Sequence, residues 1–478
     1  MSFLAVVHYQ GATKRSRSVV ASLVADLLDQ GHRVSVLDVS HYNTIQQDFP
    51  PSWVTRLLGQ KVQPQRFQHL LAELGAEHHK LVSHSPGGVG PPAHRWQECL
   101  QAIDSELLTY FRVSSLTPES TSISRMRKSL TSNAFDTYAA LGEWLEANQL
   151  DQLIIPNGRN SRQKMARVAA EERNIPVAFY ENGRAQKNSY YLGKTQPHDR
   201  VASQAEVSDL TAGLDPKEIS RLATAWLEER MTPGSDTNSF SKEWTPAGAP
   251  EQDSAERPVA VFFPSSTDEF LAFGPMWNID EWESQFHAFD LMMTILEEKN
   301  CDLVLRLHPS LGEKSRPYFL QTVQGIRTLQ AQHPTLTVHW HNSPVNSYEL
   351  VKSADYVIVE RSTIGLEANL MGKPVWINQA AQWDLVADIR QVFTPDDISE
   401  DLFELWSPDV SQAERFVAYW MMQEHPLRYS WSEWASYDPD SPSLLMKLAT
   451  LLSPNPWSHR LQLVRIAFTT GLNNRFTR

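Results

Sequence analysis

Apolar and polar positions over the first forty residues alternate as a strand–helix–strand unit. An apolar run from Phe3 to His8 leads into a polar loop with Gly11, a helical period from Val19 to Asp29, Gly31 as its stop, and a second apolar run from Val34 to Val39. A less regular, helix-rich stretch continues to about Asn148. The pattern then repeats from Gln152: the strand LIIP, the loop NGRNSR, a helix through Arg173, and the strand IPVAFY ending at Glu181. From Thr232 to Pro258 the apolar period gives way to Pro, Gly, Ser and acids, which reads as a linker. Beyond it, apolar strands at VAVFFP, CDLVLRL, TLTVHW, DYVIV and PVWI are interleaved with helices around Trp282–Glu298, around Tyr348 and over Thr363–Met371. Such alternation makes parallel sheets covered by helices. The predicted class is α/β, with Rossmann-like domains at 1–231 and 259–410, the linker 232–258 between them, and a helical region over 411–478.

Length agrees with this division, since 478 residues exceed a single core. A formal net charge of -13 argues against a nucleic-acid partner, which requires clustered basic surface. The only cysteines, Cys99 and Cys301, form no C-x-x-C pattern, so neither a disulfide framework nor a cysteine zinc site is expected. The N-terminal apolar run precedes its basic residues, the reverse of a secretory signal, and no apolar stretch approaches the ~18 residues of a membrane span. A cytoplasmic location is the expectation.

Several motifs are set aside on chemistry. The loop YQGATKRS lacks G-x-G-x-x-G, so no nicotinamide cofactor is assigned and Asp38 reads as a capping or solvent carboxylate. SHSPGGVGPP at 83–92 reads as a loop, and His78 and His79, lacking an H-E-x-x-H companion, as solvated loop residues. GKT at 193–195 has Asn188 where a Walker loop needs its first glycine. DPD at 438–440 mimics a metal-binding D-x-D but sits among prolines and reads as a turn, so no metal and no cofactor are assigned.

Candidate chemistry gathers where parallel strands end, because open α/β sheets bind ligands beyond their carboxyl edges. In ADYVIVERSTIGLEANLMGKPV (354–375), a buried strand runs through Arg361 into Ser362 and Thr363, where a helix starts and offers free N–H groups to an anion. Ser362 or Thr363 reads equally as a plain N-cap. Glu367, one turn in, is a candidate for ribose hydroxyls or an ordinary exposed helix acid. LVLRLHPSLGEK (303–314) delivers His308 and Pro309 to the same edge, with Lys314 downstream, and imidazole can donate to a phosphate. FFPSSTDEF (262–270) contributes the hydroxyls Ser265, Ser266 and Thr267 and the carboxylates Asp268 and Glu269, or else a capping cluster. In the first half, Asn157, Arg159, Glu181 and Arg184 lie in equivalent loops.

Taken together, SSTDEF, RLHPS with its following Lys, SP-x-x-SYEL (343–350) and ERSTIGLEA resemble bacterial GT-B glycosyltransferases of capsule and surface-polysaccharide biosynthesis. The His-Pro pair and the Ser362-Thr363 pair look like the nucleotide-binding motifs of bacterial sialyltransferases and Kdo transferases, which use CMP-activated sugars. NGR at 157–159, YENGR at 180–184 and HDR at 198–200 are similar to motifs of surface-polysaccharide proteins. The resemblance implies two Rossmann-like domains facing a cleft and metal-independent transfer from a nucleotide-sugar, CMP-Kdo or a relative, to a glycan or lipid-linked acceptor. It places His308 and the pair Ser362-Thr363 at the donor phosphate; Ser265, Ser266, Pro309 and Glu367 are read as further nucleotide-binding candidates, and Asn157, Arg159, Arg184 and Asp199 as candidates for the acceptor or donor sugar. The family's acidic motif, often two acids before Gly, appears only as Glu181-Asn182-Gly183, so Glu181, Asp268, Glu269 and Asp199 all remain candidates for the catalytic carboxylate. A UDP-sugar transferase, an epimerase and a non-catalytic glycan-binding or assembly protein remain alternatives. Leu448 to Arg478 contains no acid and spaces Trp457, Leu461, Val464 and Phe468 at helical intervals, which suits either peripheral contact with an anionic membrane or packing on the N-terminal domain.

Overall fold

The structure, a computed structural model, describes residues 1–8, 14–39, 62–82, 90–111, 116–117, 119–186, 188–232, 257–265, 275–314, 316–399 and 401–429. The chain forms two compact units, one built mainly from Met1–Tyr110 and Ser115–Pro197 and the other from His198–Met422, with the chain re-entering the first at Gln423.

In the first unit, β1 (Phe3–His8), β2 (Arg33–Asp38), β3 (Glu77–Lys80), β4 (Gln152–Pro156) and β5 (Val177–Asn182) are parallel, while β6 (Ser189–Gly193) and β13 (Glu424–Pro426) extend the sheet antiparallel. The described strands run in the order β13-β6-β5-β4-β1-β2-β3, so the Rossmann order 3-2-1-4-5 is present, with its reversal between β1 and β4. Strand β1 is buried on both sides, as a central parallel strand requires, and Val20, Leu23, Val24 and Leu27 of helix α1 (Lys14–Asp29) close the core over it.

The second unit is all parallel: β7 (Val259–Phe263), β8 (Asp302–Arg306), β9 (Thr337–His339), β10 (Tyr356–Val359), β11 (Val375–Ile377) and β12 (Arg390–Gln391), in the order β12-β11-β10-β7-β8-β9. This is the same 3-2-1-4-5-6 arrangement, reversing between β7 and β10. VAVFF, YVIV and VWI are buried at every position, which explains why they read as continuous apolar runs without alternation.

Three expectations are corrected. His78 and His79 lie on strand β3, paired in parallel with β2, because the ladder gives this polar segment partners along its whole length. The division between units falls at Pro197/His198, ahead of the linker: the helices Arg200–Thr211 and Pro216–Met231 pack on the helix Val410–Met422, where Trp226 meets Trp420 edge to face at 6.1 Å and Ser220 donates to Glu414 at 2.8 Å. The tail is not a separate helical region within the described residues, since only Val410–Met422 is helical and the chain then returns as β13. DPD and the segment from Leu448 lie outside the described residues.

Strand β13 returns for a physical reason. The turn after β5 leaves backbone N–H groups unpaired, and the Glu424 carboxylate accepts from Arg184 N, from Ala185 N at 2.7 Å, from Gln186 N at 2.8 Å and from the Ser189 hydroxyl at 2.6 Å. Space for it exists because residue 183 is glycine: a Cβ there would lie 1.8 Å from Ser189 Oγ. Glu424→Gln turns an amide donor toward these donors and is expected to lower the unfolding free energy by about 3 kcal/mol. Thermal or urea denaturation measures this, and an unchanged midpoint would show that the turn does not depend on the carboxylate.

Candidate functional site

Each unit carries a cavity at the carboxyl edge of its sheet, beside the strand-order reversal. In the second unit the wall is made by Phe263 and Pro264 after β7, Arg306 to Pro309 after β8, Ser347 and Tyr348, Ser362, Thr363 and Glu367 after β10, and Arg230, enclosing about 130 Å³. The His-Pro pair, the hydroxyl pair and Glu367, widely separated in sequence, meet here as expected.

Arg306 dominates the electrostatics. It is 3% exposed at the end of β8, and its guanidinium donates only to carbonyls, Trp340 O at 2.5 Å and Ser343 O at 3.2 Å, while Nε has no partner. Burial pushes its pKa down to about 10, and among the described residues no carboxylate offsets that penalty. A buried cation held only by neutral dipoles is an electrostatic deficit that an anion would fill.

His308 caps the short 3₁₀ turn Pro309–Glu313: its Nδ1 accepts from Ser310 N at 3.1 Å and lies 2.7 Å from Ser310 Oγ. A backbone N–H only donates, so Nδ1 carries no proton and the ring N–H is on Nε2. Ser362 caps the helix Thr363–Leu370, accepting from Ile364 N, so the capping and cavity-lining descriptions both hold. Glu367 is not an exposed helix acid. It is 2% exposed, and its Oε1 accepts from Arg230 Nε.

Other expected residues are placed differently. Ser265 does not line this cavity; its N–H donates to the fully buried Glu360 at 2.6 Å, which ties the end of β7 to the end of β10. Ser266, Thr267, Asp268 and Glu269 lie outside the described residues. Lys314 is fully buried and absent from the wall. Asp199 caps the helix Arg200–Thr211, accepting from Ala202 N at 3.0 Å, and Arg200 of the same HDR motif makes a buried bidentate pair with Asp384 at 3.1 and 2.6 Å. Arg200 of that motif braces the second unit through its buried pair with Asp384.

The first unit's cavity, about 250 Å³, is walled by His8 and Ser16, by Pro156, Asn157, Arg159, Asn160 and Gln163 around the end of β4, and by Tyr180, Glu181 and Asn182 at the end of β5. Asn157 (φ 47°) and Gly158 (φ 79°) make a left-handed turn, and this carries Asn157 Nδ2 to 2.7 Å from Glu181 Oε2. Arg184 reaches the same oxygen at 3.3 Å, so three of the four expected residues contact or adjoin Glu181 directly or share its cavity. The fourth, Asp199, does not.

Sequence reasoning missed Arg230, Arg306 and His8. Arg306 had a signal, a lone cation inside the apolar strand LVLRL. His8 closes the apolar strand β1 and carries no local signal of its own. Arg230 had none, standing 137 positions from Glu367. His8 is 1% exposed, its Nε2 has no partner, and burial, aided by the charge of Arg17, drives its pKa down to about 3. Among the described residues, no three His, Cys, Asp or Glu gather to hold a metal ion, and no helix is long and apolar enough to cross a membrane.

No family model matches the chain, and no curated protein matches it. It is similar to the solved structure of KpsC, a beta Kdo 2,4 transferase of Thermosulfurimonas dismutans, at 13% identity over 56% of this chain and 79% of that one, with a TM-score of 0.36. It is also similar to a UDP-GlcNAc 2-epimerase of Methanocaldococcus jannaschii in complex with UDP-GlcNAc and UDP (10%, 88% and 100%, TM-score 0.32). A glycosyltransferase of Rickettsia africae is similar at 9% over 95% and 99%, TM-score 0.30. The α/β class of each unit follows from the strand order of its own sheet.

Between pH 6.5 and about 3 the unfolded chain protonates His8 while the folded chain does not, so this residue lowers stability progressively as pH falls through that window. His8→Gln is expected to flatten the slope of unfolding free energy against pH between 6.5 and 4. Denaturation at several pH values reads it, and an equal slope in both proteins would refute the buried, neutral assignment.

Proposed function

We propose that the chain is a glycosyltransferase that uses a nucleotide-activated sugar, with the donor phosphate in the second unit's cavity and the acceptor hydroxyl in the first unit's. The observation that carries this is Arg306, a buried cation without a carboxylate partner among the described residues, in the same wall as His308 and the helix start at Ser362-Thr363. In glycosyl transfer the bond from the anomeric carbon to a phosphate oxygen breaks, and negative charge builds on that oxygen. Arg306, the Nε2–H of His308 and the helix N–H groups supply positive potential for it without a metal ion.

Charge counting favours a donor with one phosphate. Among the described residues of the wall, Arg230 and Glu367 cancel, Nδ1 of His308 accepts a backbone N–H, and Arg306 leaves one positive charge. At the phosphate itself a CMP-sugar, CMP-Kdo or a relative, brings one negative charge, the carboxylate of Kdo being a second charge on the sugar, whereas the diphosphate of a UDP-sugar brings two. Glu181, with one oxygen tethered by Asn157 and Arg184, is assigned as the carboxylate that takes the acceptor's proton, and a surface-polysaccharide or glycolipid acceptor belongs to the same proposal.

Calorimetry on the full chain is expected to show CMP binding. Arg306→Gln should weaken it roughly 10- to 100-fold, the loss of a charged hydrogen bond. Absence of binding by both CMP and UMP would remove the nucleotide-sugar assignment. With a transfer assay in hand, Glu181→Gln should cut turnover while leaving CMP affinity near wild type. Near-normal turnover in the folded variant would move the base elsewhere. Activity should persist in EDTA, and loss restored by magnesium or manganese would overturn the metal-free assignment.

A further inference from the structure

The corner of the first unit's cavity that lies beyond β1 takes no part in the proton transfer assigned to Glu181. Helix α1 starts there and runs for 16 residues, and its first turn holds no acid. The leading N–H groups of a helix have no partner within it, and its dipole places partial positive charge at this end. Ser16, the third residue of α1, and Val19 line the cavity together with His8, so the start of the helix faces the same space as the imidazole. His8 is 1% exposed, yet among the described residues its Nε2 has no hydrogen-bond partner. After burial, the charge of Arg17 is the largest influence that keeps this ring neutral, so positive potential from the helix reaches the imidazole. A second cation, Arg159, stands in the wall after β4. Glu181 is at the end of β5, and since β4 lies between β5 and β1, the two strand ends are two strand spacings apart, about 10 Å.

We propose that this corner is an anion subsite for the acceptor, formed by the N-terminus of α1 and His8, so that the sugar receiving the transferred residue carries a carboxylate or a phosphate. This rests on the acceptor assignment above. The start of the helix offers N–H groups to the anion, and the buried imidazole, with its proton on Nε2, adds a neutral donor that burial penalises less than a charge. Between the two ends, Asn157, Asn160, Gln163 and Asn182 present carboxamides, which both donate to and accept from ring hydroxyls. An acidic sugar seated this way has its charge over α1 and a hydroxyl toward Glu181, and the distance between them keeps like charges apart. A hydroxyl in place of the anion would gain neither from the helix dipole nor from the charge of Arg17, and this is the source of discrimination.

The test is a titration of the full chain with glucose, glucuronate and glucose 6-phosphate, which share one ring and differ in charge, read by NMR of isotope-labelled histidine rings. The His8 signal is identified by its absence in His8→Gln. At least one of the two anions is expected to shift it at about tenfold lower concentration than glucose does. A response to glucuronate alone assigns the carboxylate, to glucose 6-phosphate alone the phosphate, and to both the anion they share. Ser16→Glu sets a carboxylate in the first turn of α1, which favours the helix but repels an anion, and it should remove the preference without loss of stability. The same preference read from the rise in Tm serves should His8→Gln not fold. No anion preference in wild type, or an undiminished one in Ser16→Glu, overturns the proposal. So does reversal of the His8 shift by saturating CMP, which would put the anions in the nucleotide's own site. If neither CMP nor UMP binds while the anions still shift His8, the nucleotide assignment falls and the anion subsite stands.

Discussion

A parallel sheet whose first strand lies in its middle must send successive connections outward in both directions, and at the reversal two adjacent carboxyl ends are left with no connection crossing over them. Both units obey this constraint, at β1 and β4 and at β7 and β10. The polar residues that follow those strands have nowhere to go but the open edge, so His8, Asn157 and Glu181 share one cavity and Arg306, His308, Ser362 and Glu367 share the other. The sites are consequences of strand order before they are consequences of any particular side chain.

The two edges differ in charge. In the second unit a guanidinium is buried among carbonyls with no carboxylate among the described residues to answer it, while a second guanidinium is matched to Glu367. In the first unit the single carboxylate at β5 is tethered by an amide and an arginine, and the nearby imidazole is held neutral by burial. Among the described residues, one edge presents a cation without a carboxylate and the other a carboxylate held by hydrogen-bond donors.

Buried carboxylates hold the loops that build these edges. Glu360 fixes the backbone after β7 through Ser265 N–H, and Glu424 satisfies the turn after β5 from a strand that arrives more than two hundred residues later. Each meets donors that no strand pairs, and so makes rigid the segments on which Ser362 and Arg184 are carried.

The apolar runs, the stops at glycine and proline, and the chemistry at strand ends were legible in the sequence because each depends on neighbours within a few positions. From these came the α/β class and the expectation that His308-Pro309 and Ser362-Thr363 face one edge. Strand β3 was not legible, since a polar segment such as Glu77–Lys80 becomes a strand only when β2 offers it a ladder. Nor was the allegiance of the helices after Pro197, which was decided by Trp226 against Trp420. The pairing of Arg230 with Glu367, the service of Glu424 to the turn after Gly183, and the separation of Arg306 from every described acid are facts of distance and burial. No local pattern encodes them, because the energy of a buried charge depends on what the whole fold brings within hydrogen-bonding reach.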